Sequence, residues 1–87
     1  MKEYIVYYDV KAYRKEWRES MTVNAENQKQ AKWLVANCME TVYKHHAFHI
    51  NFNNSFRLGH SIPVERERIF KPWDGFEKDF AEFVKRS

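Results

Sequence analysis

Between Glu16 and Val42 the chain passes from a two-residue apolar period to a helical one, and the change falls at a pair of residues able to cap a helix. Met21, Val23 and Ala25 alternate with Ser20, Thr22 and Asn24, the pattern of a half-buried strand. Asn27 and Gln30 have the spacing of a capping box, in which each side chain satisfies a free backbone N–H at the helix start. Ala31, Leu34, Val35, Cys38, Met39 and Val42 then form one apolar stripe at helical spacing. A strand that feeds straight into an amphipathic helix needs a sheet for that helix to cover, so the expected class is α+β.

The flanking segments extend this plan. Tyr4, Val6, Tyr8, Val10 and Ala12 share one face of a first strand, and Ile5, Tyr7, Asp9, Lys11 and Tyr13 share the other. Arg14-Lys15-Glu16 is read as the turn into a second strand, Trp17 to Asn24, which makes a long hairpin. The first helix is expected from Gln28 to Lys44. Phe48, Ile50 and Phe52 alternate with His49 and Asn51 as a third strand. Asn53-Asn54-Ser55 is turn chemistry, and Phe56, Leu58 and Ile62 continue as a fourth strand with a bulge at Gly59. Val64 to Phe70 reads either as a charged edge strand or as a linker. Asp74 and Glu77 make a second capping box, and Phe76, Phe80, Phe83 and Val84 follow helical spacing to Arg86. The expectation is one domain over 1–87, in the order β-β-α-β-β-α. It is an antiparallel sheet of about three to five strands with two helices on one face.

Composition narrows the function classes. Aromatic residues are 17% of the chain, against two glycines and two prolines, which favours a folded domain over a disordered one. A single cysteine allows no internal disulfide, so a reducing, cytoplasmic setting is expected. Lys2 is followed by Glu3 and by no apolar signal core, and no run of about 18 apolar residues exists, so neither secretion nor membrane insertion is expected. The formal charge of +3 permits a nucleic-acid partner without requiring one, because acids interleave with bases, as in Glu65-Arg66-Glu67-Arg68. With only Gly59 and Gly75, no glycine-rich loop can cradle a phosphate.

Four histidines invite a test for metal or acid–base chemistry. His45, His46 and His49 are close in sequence, and His60 follows after a loop. Zinc prefers four N or S ligands in paired short spacings; there is no C-x-x-C, and the helix is expected to end between His45 and His49. His45 and His46 fit better as favourable charge at a helix C-terminus. No metal or other cofactor is expected. His49 and His60, with Arg57 near, could instead flank a phosphodiester as acid and base. His45-His46-Ala47-Phe48-His49-Ile50 resembles the histidine strand of HicA-type mRNA interferases, without the glycine and serine that precede the histidine there. A small ribonuclease is therefore the alternative reading. Tyr4 to Val10 resembles the first strand of the CRISPR adaptation endonucleases, but a helix should follow there and a strand follows here.

The preferred reading rests on the hairpin. If Tyr8, Val10, Met21 and Val23 face the helices, then Tyr7, Lys11, Tyr13, Arg18, Ser20 and Thr22 face outward, with His49, Asn51 and Arg57 adding to that side. Such an aromatic and cationic sheet surface suits stacked bases and phosphates. It suits a protein interface equally. Trp33 lies off the helix stripe; it either anchors a partner or is covered by the terminal helix. The segment Val23-x-Ala25-x-Asn27-x-x-x-Ala31-Lys32 resembles small β-β-α proteins of Gram-positive phages and mobile elements. That resemblance implies action by binding, including inhibition of host defence nucleases. The expected function is thus a non-enzymatic binding protein for a nucleic acid or a nucleic-acid-handling protein, through Tyr7, Lys11, Tyr13, Arg18, Trp33, His49 and Arg57. Self-association as a homo-oligomer is the further alternative.

Overall fold

The computed structural model describes residues 2–12, 14–42, 48–52 and 64–86. Along the chain these form β1 (Lys2–Ala12), β2 (Lys15–Ala25), α1 (Gln28–Val42), β3 (Phe48–Phe52), β4 (Arg66–Ile69) and α2 (Phe76–Arg86). The class is α+β, with a four-stranded sheet in the spatial order β3-β1-β2-β4.

β1 and β2 pair antiparallel along their whole length, from Lys2 opposite Ala25 to Ala12 opposite Lys15. Lys15 and Glu16 therefore belong to β2 rather than to the turn, which narrows to the two positions between Ala12 and Lys15. Arg14 takes a positive φ of 62° there. β3 adds antiparallel to β1, with Tyr8 opposite Phe52 and Ala12 opposite Phe48. β4 adds parallel to β2, from Glu19 opposite Arg66 to Thr22 opposite Ile69. The sheet is mixed, which corrects the antiparallel expectation. The physical reason lies in connectivity: β2 runs directly into α1, so no hairpin can supply its outer neighbour. The strand that fills that place returns after α1 and β3, and a long crossover can deliver a parallel strand. Val64–Phe70 thus contains the edge strand, not merely a linker. The fourth strand expected over Phe56–Ile62 lies outside the described residues.

Alternation places Tyr4, Val6, Tyr8, Val10 and Ala12 of β1 on the same side as Trp17, Met21, Val23 and Ala25 of β2. Ala31, Leu34, Val35, Cys38 and Met39 of α1 close over them as one core. The helix stripe ends there, because Val42 is 45% exposed. The capping box forms with one shift of partner. Gln30 N–H donates to Asn27 Oδ1 at 2.8 Å, while Gln30 Oε1 accepts from Glu26 N–H, also at 2.8 Å.

α2 has no fully buried residue. Its apolar side meets α1 at Trp33, which stacks on Phe83 with ring centres 4.7 Å apart and lies 6.0 Å from Phe80. Trp73 adds a tilted contact to Trp33 at 5.7 Å and an edge contact to Phe76 at 4.9 Å. Phe70 packs edge-on against both Trp73 and Phe76. This ring cluster is a satellite of the main core, and it fastens the C-terminal helix.

Candidate binding surface

The side of the sheet away from α1 carries Glu3, Ile5, Tyr7, Asp9 and Lys11 of β1, Glu16, Arg18, Ser20, Thr22 and Asn24 of β2, and Glu67 and Ile69 of β4. The register aligns them in rows. Ile5 faces Thr22 and Thr22 faces Ile69; Tyr7 faces Ser20 and Ser20 faces Glu67; Asp9 faces Arg18; Lys11 faces Glu16.

The expected outward parity of Tyr7, Lys11 and Arg18 is present, but their accessibility differs. Lys11 is exposed. Arg18 is half-exposed and donates from Nε to Asp9 Oδ1 at 3.1 Å. Tyr7 is only 4% exposed and Ser20 only 8%. The tyrosine expected to offer contact area is thus buried, and so is its cross-strand neighbour Ser20. Trp33 belongs to α1, across the sheet from Lys11 and Arg18, and the terminal helix covers it. It does not join this surface. Tyr13, Arg57 and His60 lie outside the described residues, as does the side chain of His49; the backbone of His49 pairs opposite Lys11.

On this face of the hairpin, Lys11 and Arg18 each sit opposite an acid across the ladder. Asp9, Glu16, Trp17, Arg18, Val64 and Glu65 also line a shallow depression of about 420 Å³ at this end of β2. Its three carboxylates outnumber its one guanidinium. At the other end one large apolar side chain stands among polar ones, the exposed Glu3, Asn24, Thr22 and Glu67. Ile69 is 84% exposed beside Thr22, with Ile5 two strands away.

The covered side of the sheet holds a feature that sequence reasoning missed. Glu19 is fully buried under α1. It accepts hydrogen bonds from Trp17 Nε1 at 2.7 Å, from the Tyr8 hydroxyl at 3.1 Å and from Arg68 Nε at 3.0 Å. The Tyr8 oxygen also lies 3.5 Å from Met39 Sδ. A buried carboxylate is tolerable only with such partners. Burial, and then the adjoining Glu19 charge, push the Tyr8 hydroxyl far above its ordinary range. Arg66 reaches over the Trp17 ring at 5.0 Å, so both arginines of β4 are held on the α1 side. The signal was available: Glu19 is the one charged residue in the inward series Trp17, Glu19, Met21, Val23, Ala25.

Among the described residues no group of three or more His, Cys, Asp and Glu side chains is placed to hold a metal ion. No helix among them is long and apolar enough to cross a membrane. Comparison of the chain with protein-family models, with curated proteins and with solved structures finds no match.

Proposed function

We propose that the chain is a binding domain that docks on another protein through the β2–β4 side of the sheet face away from α1. The observation that carries this reading is Ile69, a large apolar side chain 84% exposed in an edge strand. Edge strands ordinarily carry charge at such positions to discourage contact. Ile5 and Thr22 extend the patch inward, and Arg18 and Lys11 stand at its far rim. An apolar centre with a charged rim is the anatomy of a protein interface.

Charge arrangement favours a protein over a nucleic acid. Phosphate binding needs cations free to replace counterions. Here Arg18 is bonded to Asp9 and Lys11 faces Glu16. The depression beside them is acidic in balance, so it repels a phosphate backbone. The aromatic contribution anticipated from Tyr7 is absent from the surface, which removes the described stacking platform.

Capture from the source cell extract with the purified chain as bait tests this directly. One protein should be retained by the natural chain and lost with Ile69→Asp, and its capture should survive about 0.5 M salt. Retention of that protein at full strength by both Ile69→Asp and Arg18→Ala refutes the surface. Retained RNA or DNA that washes off with salt refutes the partner class.

A further inference from the structure

We infer that β4, whose outer edge pairs with no other described strand, is the contact strand itself. It takes an extended segment of a different protein, acidic on the α1 side and apolar then basic on the side away from it, and it rejects a second copy of this chain. The inference rests on the protein-binding reading above and names the chemistry of the partner.

The two sides of β4 carry opposite charge. Arg66 and Arg68 lie on the α1 side, one over the Trp17 ring and the other on Glu19. Glu67 and Ile69 lie on the side away from α1, in register with Ser20 and Thr22. Glu65 N–H donates to Arg18 O at 2.9 Å. Alternation then turns the backbone groups of Glu67 toward β2 and those of Arg66 toward the outer edge.

A second copy fits this edge badly. Two identical strands that extend a sheet antiparallel are related by a two-fold axis normal to it, so residues from the same side face each other. Glu67 then meets Glu67 and Arg66 meets Arg68; a shift by one position sets Arg66 on Arg66 and Glu65 on Glu67. Each such register places like charges directly opposite, which opposes pairing. The alternation Glu65-Arg66-Glu67-Arg68 is therefore a device against self-association. The same alternation welcomes a strand of the other phase. An antiparallel segment that reads apolar, acid, base, acid sets an apolar residue on Ile69, an acid on the exposed Arg66 and a base on Glu67, with its other acid beside Arg68, which Glu19 already partners.

Two isomeric peptides test the phase at constant composition and net charge: Thr-Val-Glu-Lys-Glu-Thr and Thr-Val-Glu-Glu-Lys-Thr. Each is titrated to millimolar concentration against the isotope-labelled full chain, with the amide signals of residues 64–69 followed by NMR. The first peptide should bind about fivefold more tightly than the second. The double variant Arg66→Glu with Glu67→Lys should reverse that preference. Sedimentation of the natural chain at the same concentration should show a monomer. Equal affinity of the two peptides, binding by neither, no reversal in the double variant, or a dimer that the double variant abolishes each overturns the inference. If the peptides fail while Ile69→Asp still loses its captured protein, the docking surface stands and the edge pairing alone falls.

Discussion

Arg68 Nε and Glu19 Oε2 meet at 3.0 Å although 49 positions separate the two residues in the chain. One residue lies in the edge strand and the other in the strand beside it, so the bond joins β4 to the buried end of the Tyr8–Trp17 network. The parallel ladder between β2 and β4 is short, and this contact reinforces it from the α1 side.

Removal of the guanidinium should therefore cost more than a surface ion pair does. Arg68→Met removes a charged partner from the buried Glu19 carboxylate, a loss of about 3 kcal/mol. Denaturant unfolding monitored by tryptophan fluorescence measures it. Arg18→Met breaks the half-exposed pair with Asp9 and should cost no more than about 1 kcal/mol. Equal costs for the two substitutions would mean that Glu19 is not the buried charge the structure describes.

The same network sets an alkaline limit. The Tyr8 hydroxyl is held protonated in the folded chain by burial and by Glu19, so its folded pKa lies above the unfolded one. Its contribution to stability is complete below the unfolded value of about 10 and is lost as pH rises beyond it. In that window the slope due to this one group is about 1.4 kcal/mol per pH unit. Tyr8→Phe should cost about 1 kcal/mol at pH 7 for the lost hydrogen bond and should show a shallower decline above pH 10. Parallel declines in the natural chain and the variant would remove Tyr8 as the responsible group.

The parts legible in the sequence were those with a local cause. The strand-to-helix switch at Asn27 needs only the two periods and the cap, and the Gln30 and Asn27 bonds are there. The hairpin parity that puts Tyr8, Val10, Met21 and Val23 inward is equally local. What failed or stayed open depended on distant chain. The direction of β4 follows from which strand edge is left open, and the covering of Trp33 follows from where α2 comes to rest. Neither is written in a short window. Glu19 was legible in part, since its inward parity follows from Trp17 and Met21, but its partner Arg68 could not be read from spacing. Tyr7 shows the same limit at the candidate surface, because parity says which side a residue faces and not how deeply it sits.

Trp33 governs the C-terminal helix. α2 is 11 residues long, too short to persist alone in water; Phe80 and Phe83 of its stripe meet Trp33 of α1, while Phe76 packs on Phe70 and Trp73. Trp33→Ala removes the ring that Phe80, Phe83 and Trp73 share. The expected cost is about 2 kcal/mol, below that of a fully buried tryptophan because Trp33 is half-buried. The loss should be local. Amides of residues 76–86 should exchange with solvent at near-unfolded rates while those of β1 and β2 stay protected. Uniform loss of protection across the sheet would show that α2 and the main core unfold as one unit.

Arg14 offers a test in the stabilising direction. It holds a φ of +62° between Ala12 and Lys15, in the left-handed region that a side-chain-bearing residue enters at a cost. Glycine enters that region freely, and hairpin turns of this length favour it. The side chain at this position is exposed, so little packing is forfeited. Arg14→Gly should raise the unfolding free energy by about 1 kcal/mol, read from the denaturant midpoint at unchanged slope. Arg14→Val, whose branched side chain tolerates positive φ least, should lower it by a similar amount. The turn sits at the opposite end of the hairpin from Ile69, so both variants should bind as the natural chain does. A loss of binding in Arg14→Gly would place the contact at this end of the sheet, near Lys11, and not at the β4 edge.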